Sequence, residues 1–226
     1  MSEPADAANE TSLASTGRGR PAGATRKGLE TRLRIIRGAR EALEEGGIEA
    51  LTTRRIAASA GVKLATLHYY FDSKESLLIA VLEDLIAEMD AAYRQDVSLP
   101  SAPEDRVEAL IRASWRYIQR TRGKQIAQTE LTLYALRTKG SEWLAARQYN
   151  AYIDFYGHLV FEDDADEDLR RIGRAVARQM LIGIDGIILQ SYALQDLSAS
   201  NDDIEAHIIA MRGYLRRLLA ERDRPR

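Results

Sequence analysis

Residues 52–71 read TTRRIAASAGVKLATLHYYF. Thr52 suits the cap of a short helix near 53–60, because its hydroxyl can accept from an orphaned N–H of the first turn. Gly61 and Val62 make a turn, and glycine supplies the positive φ such a turn demands. A second helix follows over about 63–70. Ile56, Ala57, Ala60, Val62, Leu67 and Phe71 share the inner side, and the small Ala57 and Ala60 let the helices approach. Two short helices meeting at a glycine turn follow the plan of a helix-turn-helix. The second helix is left as an exposed rod about as wide as a DNA major groove. Its outward residues are Lys63, Leu64, Ala65, Thr66, His68 and Tyr69.

Outward from this stretch, the five prolines at 4, 21, 100, 103 and 225 leave 22–99 and 104–224 free to be helical. Apolar spacings of three and four dominate, and no segment alternates with period two. The fold class is therefore all-α. A helix over about 29–45 puts Leu33, Ile36, Ala39 and Leu43 on one side and stops at Gly46-Gly47. Ser73 caps a helix over about 74–94 with Leu77, Leu78, Val81, Leu82, Leu85 and Met89 inward. Helices follow at about 103–122, 125–139 and 142–160, parted at Gly123 and Gly140. Two long ones, about 168–195 and 202–222, end the chain, making about nine. Three units result: an arm over 1–27 without an apolar face, read as disordered; a head over 28–73; and a body over 74–226, joined to the head by helix 74–94.

Composition narrows the function. With no cysteine among 226 residues there is no disulfide, thiolate nucleophile or cysteine-bound metal, so whatever the chain senses is not sensed through thiols. His68, His158 and His207 stand far apart, and no nucleophile elbow or phosphate-binding loop occurs. No catalytic residue, metal site or cofactor is expected, and the chain is read as no enzyme. The apolar run 77–82 is too short to span a bilayer, and the N-terminus lacks a signal-peptide core; a cytoplasmic protein is expected. Net charge is only −2, yet residues 17–75 hold 12 basic against 7 acidic side chains, while 76–226 hold 20 against 24. A basic end on an acidic body favours end-on docking to nucleic acid.

The sequence resembles the tetracycline-repressor-like (TetR-type) transcriptional regulators. The resemblance rests on the opening Arg/Ile-rich helix, Gly47, Thr52, Ile56-Ala57, Ala60-Gly61-Val62, Thr66-Leu67, Tyr70-Phe71, Ser73-Lys74-Glu75 and Leu77-Leu78, and covers roughly 31–86. It implies a ligand-responsive regulator that binds a roughly palindromic double-stranded DNA operator as a homodimer and leaves it when a small-molecule effector binds; a repressor is read rather than an activator, because blocking a promoter needs only binding. Base contacts would come from Leu64, Ala65, Thr66 and Tyr69, and backbone contacts from Thr52, Thr53, Arg54, Tyr70 and Lys74. Two positions depart from the family pattern. Lys63 stands where a small hydroxyl cap is usual and His68 where tyrosine is usual; each can still meet a phosphate. Arg18-Gly19-Arg20-Pro21 has two readings: Arg18 and Arg20 as a minor-groove arm, or a solvated tail.

In the family the larger half encloses a ligand cavity. Here 104–196 concentrates the aromatics, with Trp115, Glu130, Tyr134, Tyr152, Tyr156 and Gln190 as candidate lining for an apolar or aromatic ligand with a polar handle. Asp185, the lone acid of an apolar helix, is read as a buried contact at the dimer interface or the pocket. Ile204, Ile208, Met211, Leu215 and Leu218, spaced 4, 3, 4 and 3, form a narrow seam assigned to the dimer interface. The alternative class is a helical small-molecule-binding protein or enzyme with a vestigial DNA-binding head.

Overall fold

A computed structural model describes residues 25–96, 99–161 and 165–224. Most of the proposed arm, including Arg18 and Arg20, and part of the acidic run 162–168 lie outside the described residues. Those described form nine α-helices, one 3-10 turn and no strand.

The head begins with α1 (Arg26–Gly46), whose first turn is capped by the Thr25 hydroxyl accepting from the Gly28 N–H. Ile35, Ile36, Ala39, Ala42 and Leu43 are buried. Leu33, expected inward, is half exposed. At 100° per residue it sits roughly 60° from Ile36 on the side away from Ala39, beyond the core arc. Gly38 is the close-approach point: a Cβ there would stand 2.7 Å from the Ala60 nitrogen. A 3-10 turn, Ile48–Ala50, leads to α2 (Thr53–Ser59), where Thr52 caps as expected by accepting from the Arg55 N–H. Gly61 has φ +61, and the Val62 N–H closes the turn on the Ala57 carbonyl at 2.9 Å. Next comes α3 (Leu64–Tyr70), with Leu67 as its buried anchor.

The linking helix is α4 (Lys74–Asp96). Ser73 and Ser76 exchange hydrogen bonds at its start, each hydroxyl accepting from the other's N–H. Its first half, Leu77 to Leu85, packs in the head's core; Met89 and Tyr93 pack in the body's. The body continues with α5 (Pro103–Arg120), α6 (Arg122–Arg137), α7 (Glu142–Val160), α8 (Glu167–Leu194) and α9 (Leu197–Arg222).

α1 starts at Arg26, inside the arm read as disordered over 1–27, because Thr25 caps it, and two later boundaries also differ from the sequence reading. The α5–α6 break falls at Thr121, not Gly123, which lies in the first turn of α6. Thr121 Oγ1 donates to the Tyr117 carbonyl at 2.7 Å and accepts from Gln125 Nε2 at 3.0 Å, so one side chain closes one helix and steadies the next. α9 starts five residues before 202 because Asp196 caps it, accepting from the Ala199 N–H.

The apolar core has two parts. One joins α1–α3 and the start of α4 to Ala127, Leu131 and Ala135 of α6 and Leu144 and Ala145 of α7. The other holds α5, α7, α8 and α9 together. The head thus closes its core with residues of the body.

Candidate nucleic-acid interface and ligand cleft

Leu67 ties α3 to the head and turns the opposite side of the helix outward. Lys63, Leu64, Ala65, His68 and Tyr69 are exposed, and Thr66 and Tyr70 are half-buried. Tyr69 is 59% exposed and its ring meets Tyr70 edge-on, which fixes its direction. Lys63 occupies the N-cap position with no side-chain capping bond. At the start of α2, Arg54 is exposed and Thr53 half-buried. The residues expected at DNA are thus exposed or half-buried, with one qualification. Lys74 Nζ sits 4.4 Å above the ring of Tyr134, so this lysine also clasps head to body.

That clasp belongs to a larger joint. The Ile48 N–H donates to the Glu130 carboxylate at 2.9 Å, and a Cβ on Gly47 would strike the same carboxylate. Arg40 of α1 pairs with Asp84, at 2.5 Å, and with Glu88 of α4, and Glu88 also takes Lys124 of α6. Burial alone would push the Glu88 carboxyl up, but hydrogen bonds from Lys124 and Arg40 outweigh it and hold it below the usual range. Glu130 and Tyr134, expected in the ligand cavity, are thus joint residues. Both carry pocket-like chemistry, and their side of α6 is set by the head that packs there.

On its other side α6 faces a cleft. Between α6, α7 and α8 the body opens into a space of about 270 Å³, continued inward by a recess of about 60 Å³ that reaches Met89 and Ser114. Gln125, Gln128, Tyr152, Asp185 and Ile188 line both. Of the expected lining, Tyr152 and Tyr156 are there. Trp115 is not; its indole N–H donates to Asn201 Oδ1 at 2.8 Å, bracing α5 on α9. Gln190 is exposed outside the cleft. Tyr117, Gln125, Gln128 and Tyr149 were missed, although glutamines three residues apart on one helix carry a readable signal for a shared face.

The chemistry of the cleft is uneven. At its floor the Tyr156 hydroxyl meets those of Tyr93, at 2.9 Å, and Ser114, at 3.2 Å. The Tyr117 and Tyr152 hydroxyls are buried without a hydrogen-bond partner. Gln148, beside Tyr152, is held by Thr132 Oγ1 at 3.1 Å instead. Burial pushes the Tyr117 hydroxyl up to about 12, so it stays a donor. Asp185 accepts from the Tyr149 hydroxyl at 2.9 Å, and burial lifts its carboxyl above the usual range against that bond.

The seam on α9 is a correction. Ile204, Ile208 and Leu215 are at most 3% exposed within one chain, and Met211 and Leu218 pack on the same core. Their 4-3 spacing marks helix packing, and the partners are α5 and α8 of the same chain. The exposed apolar residues of these two helices include Ile182 of α8 and Ile209 of α9, on the side opposite the seam, and Leu189 of α8, which also borders the cleft; all three are more than half exposed, and Gly186 and Gly213 are open.

An all-α chain whose helix-turn-helix head shares its core with a helical body has the architecture expected of a DNA-binding regulator. Residues 35–81 match the family described as bacterial regulatory proteins, tetR family. The chain is 28% identical to the HTH-type transcriptional regulator BetI of Rhizobium meliloti over 196 residues, 80% of this chain and 85% of that protein. It is 25% identical to the HTH-type transcriptional repressor KstR of Mycobacterium tuberculosis over 174 residues, 76% of this chain and 78% of that one. Among solved structures, the multidrug binding protein EbrR complexed with ethidium superposes with a TM-score of 0.60 at 25% identity, covering 80% of this chain and 98% of that one. Together these likenesses indicate a TetR-type DNA-binding transcriptional regulator. No helix among the described residues is long and apolar enough to cross a membrane.

Proposed function

We propose that two copies of this chain bind a palindromic operator in the cytoplasm as a repressor and leave it when a small molecule enters the cleft. The observation that carries the reading is α6. Gln125, Gln128 and Thr132 face the cleft, while Lys124, Glu130 and Tyr134 hold the head. A ligand that rotates or shifts α6 must move the joint, and with it α3. Recognition helices on successive major grooves sit roughly 34–36 Å apart. A ligand that favours another spacing weakens DNA binding, and DNA weakens ligand binding by the same factor. The relatives' names support repression, and the ligand in the EbrR structure supports a small-molecule site. The exposed apolar residues of α8 and α9 are the surface on which a second copy would pack.

Selection of bound sites from random DNA by the purified protein tests this. The expected result is an inverted repeat whose half-sites lie one helical turn apart. A steep fall of affinity with salt should accompany it, reflecting several released phosphate counterions. Failure to enrich any site, together with a flat salt dependence, would overturn it.

A further inference from the structure

We propose that the cleft selects organic cations: an amine or quaternary nitrogen on an apolar or aromatic body, with Asp185 as its counter-charge. This rests on the cleft being the effector site, and adds the sign of the ligand. Among the described residues, Asp185 is the only ionisable carboxylate lining the cleft or its recess, and no lysine, arginine or histidine lines either. The cations nearest in sequence are engaged elsewhere. Lys124 pairs with Glu88, and the Arg122 guanidinium lies over the Tyr192 ring. A carboxylate in a mostly apolar space is costly to keep ionised and is stabilised by a positive partner. Asp185 has one hydrogen bond, from Tyr149, whereas a carboxylate offers about four acceptor sites.

The rest of the lining suits the same ligand. Tyr149, Tyr152 and Tyr156 bring electron-rich rings to the walls, where a cation gains from their faces. The Tyr117 hydroxyl, buried without a hydrogen-bond partner, offers a further polar contact in the recess. No described residue of the lining offers a positive charge to a carboxylate or phosphate ligand. An anion would meet Asp185 in a space of low dielectric, where like charges repel strongly.

The test is calorimetric titration of the full-length protein, without DNA, with three probes of one skeleton: 4-phenylbutylamine, 4-phenylbutanol and 4-phenylbutanoate. The amine should bind about tenfold tighter than the alcohol, the usual scale for a charge-assisted contact, and the butanoate more weakly than either. Asp185→Asn should bring the amine down to the level of the alcohol while melting no lower than the wild type, which separates lost charge from lost fold. Gln128→Trp, which puts a bulky ring where cleft and recess share a wall, should abolish binding of both and so place it in the cleft. Alcohol or butanoate binding as tight as the amine, blocked by Gln128→Trp, would overturn the cation assignment and leave the effector site standing. An amine preference that survives in Asp185→Asn would also overturn it. If none of the three binds, the effector-site reading falls and the cation assignment with it.

Discussion

Gly47 has φ +67 and ψ −169, a conformation that residues with a Cβ rarely adopt, and a Cβ there would stand 2.5 Å from the Glu130 carboxylate. Gly47→Ala should cost about 2–3 kcal/mol in urea unfolding, from strain and collision together. Gly61→Ala, with an equally positive φ but open space around it, should cost less. Asp185 carries a different cost. Its carboxyl is held above its ordinary value by burial, so the folded chain binds the proton more tightly than the unfolded one. Stability is therefore greatest below the ordinary carboxylate range and is lost as pH rises through the folded value. Urea midpoints of wild type and Asp185→Asn should converge in acid, with the variant the more stable at neutral pH; the reverse order would refute the burial argument. Residue-level features with local causes were legible in the sequence. The caps at Thr52 and Ser73 follow from chemistry within three residues. Glu130 and Tyr134 were not, because their partners, Ile48 and Lys74, lie 82 and 60 positions away.

At the scale of the element, nine helices could be read from apolar period and breaking residues, since both act within a turn or two. The ends went wrong where a side chain other than glycine or proline did the breaking. Thr121 ends α5 through its own hydroxyl, and the α8–α9 turn passes through Gln195 at φ 56, a left-handed residue that is not glycine. The α9 seam failed for another reason. A 4-3 spacing says that a helix packs, and burial in the folded chain says against what. α6 is the element whose function depends on having two sides. Glu130→Ala removes the acceptor of the Ile48 N–H and should cost about 1 kcal/mol. Its sharper effect should be on coupling. Operator binding without ligand should persist, while the ligand's power to release DNA should shrink by several-fold in a mobility-shift titration. Glu130→Gln keeps an acceptor and should restore much of it. Equal release in all three proteins would remove α6 from the coupling.

For the whole molecule, the charge distribution and the exposed apolar face must serve one assembly. Residues 17–75, arm and head together, hold 12 basic against 7 acidic side chains and residues 76–226 hold 20 against 24, so a single copy is attracted to DNA by its N-terminal end. One seven-residue recognition helix reads a few base pairs, too few for a specific site, and two heads held at a fixed spacing solve this. In the proposed dimer the surface that would hold them is on α8 and α9, where Ile182 is 57% and Ile209 73% exposed. The sealed seam of Ile204, Ile208 and Leu215 behind it supplies a rigid base. Ile182→Glu combined with Ile209→Glu places charges on this face without touching either core. The double variant should sediment as a monomer with unchanged helix content. Its operator affinity should fall by roughly 10²-fold or more, because the second half-site no longer binds at high effective concentration. Its salt dependence should flatten to about half, since one head releases half the counterions. A variant that remains dimeric would place the interface elsewhere, and one that turns monomeric but keeps full affinity and slope would show that a single head suffices.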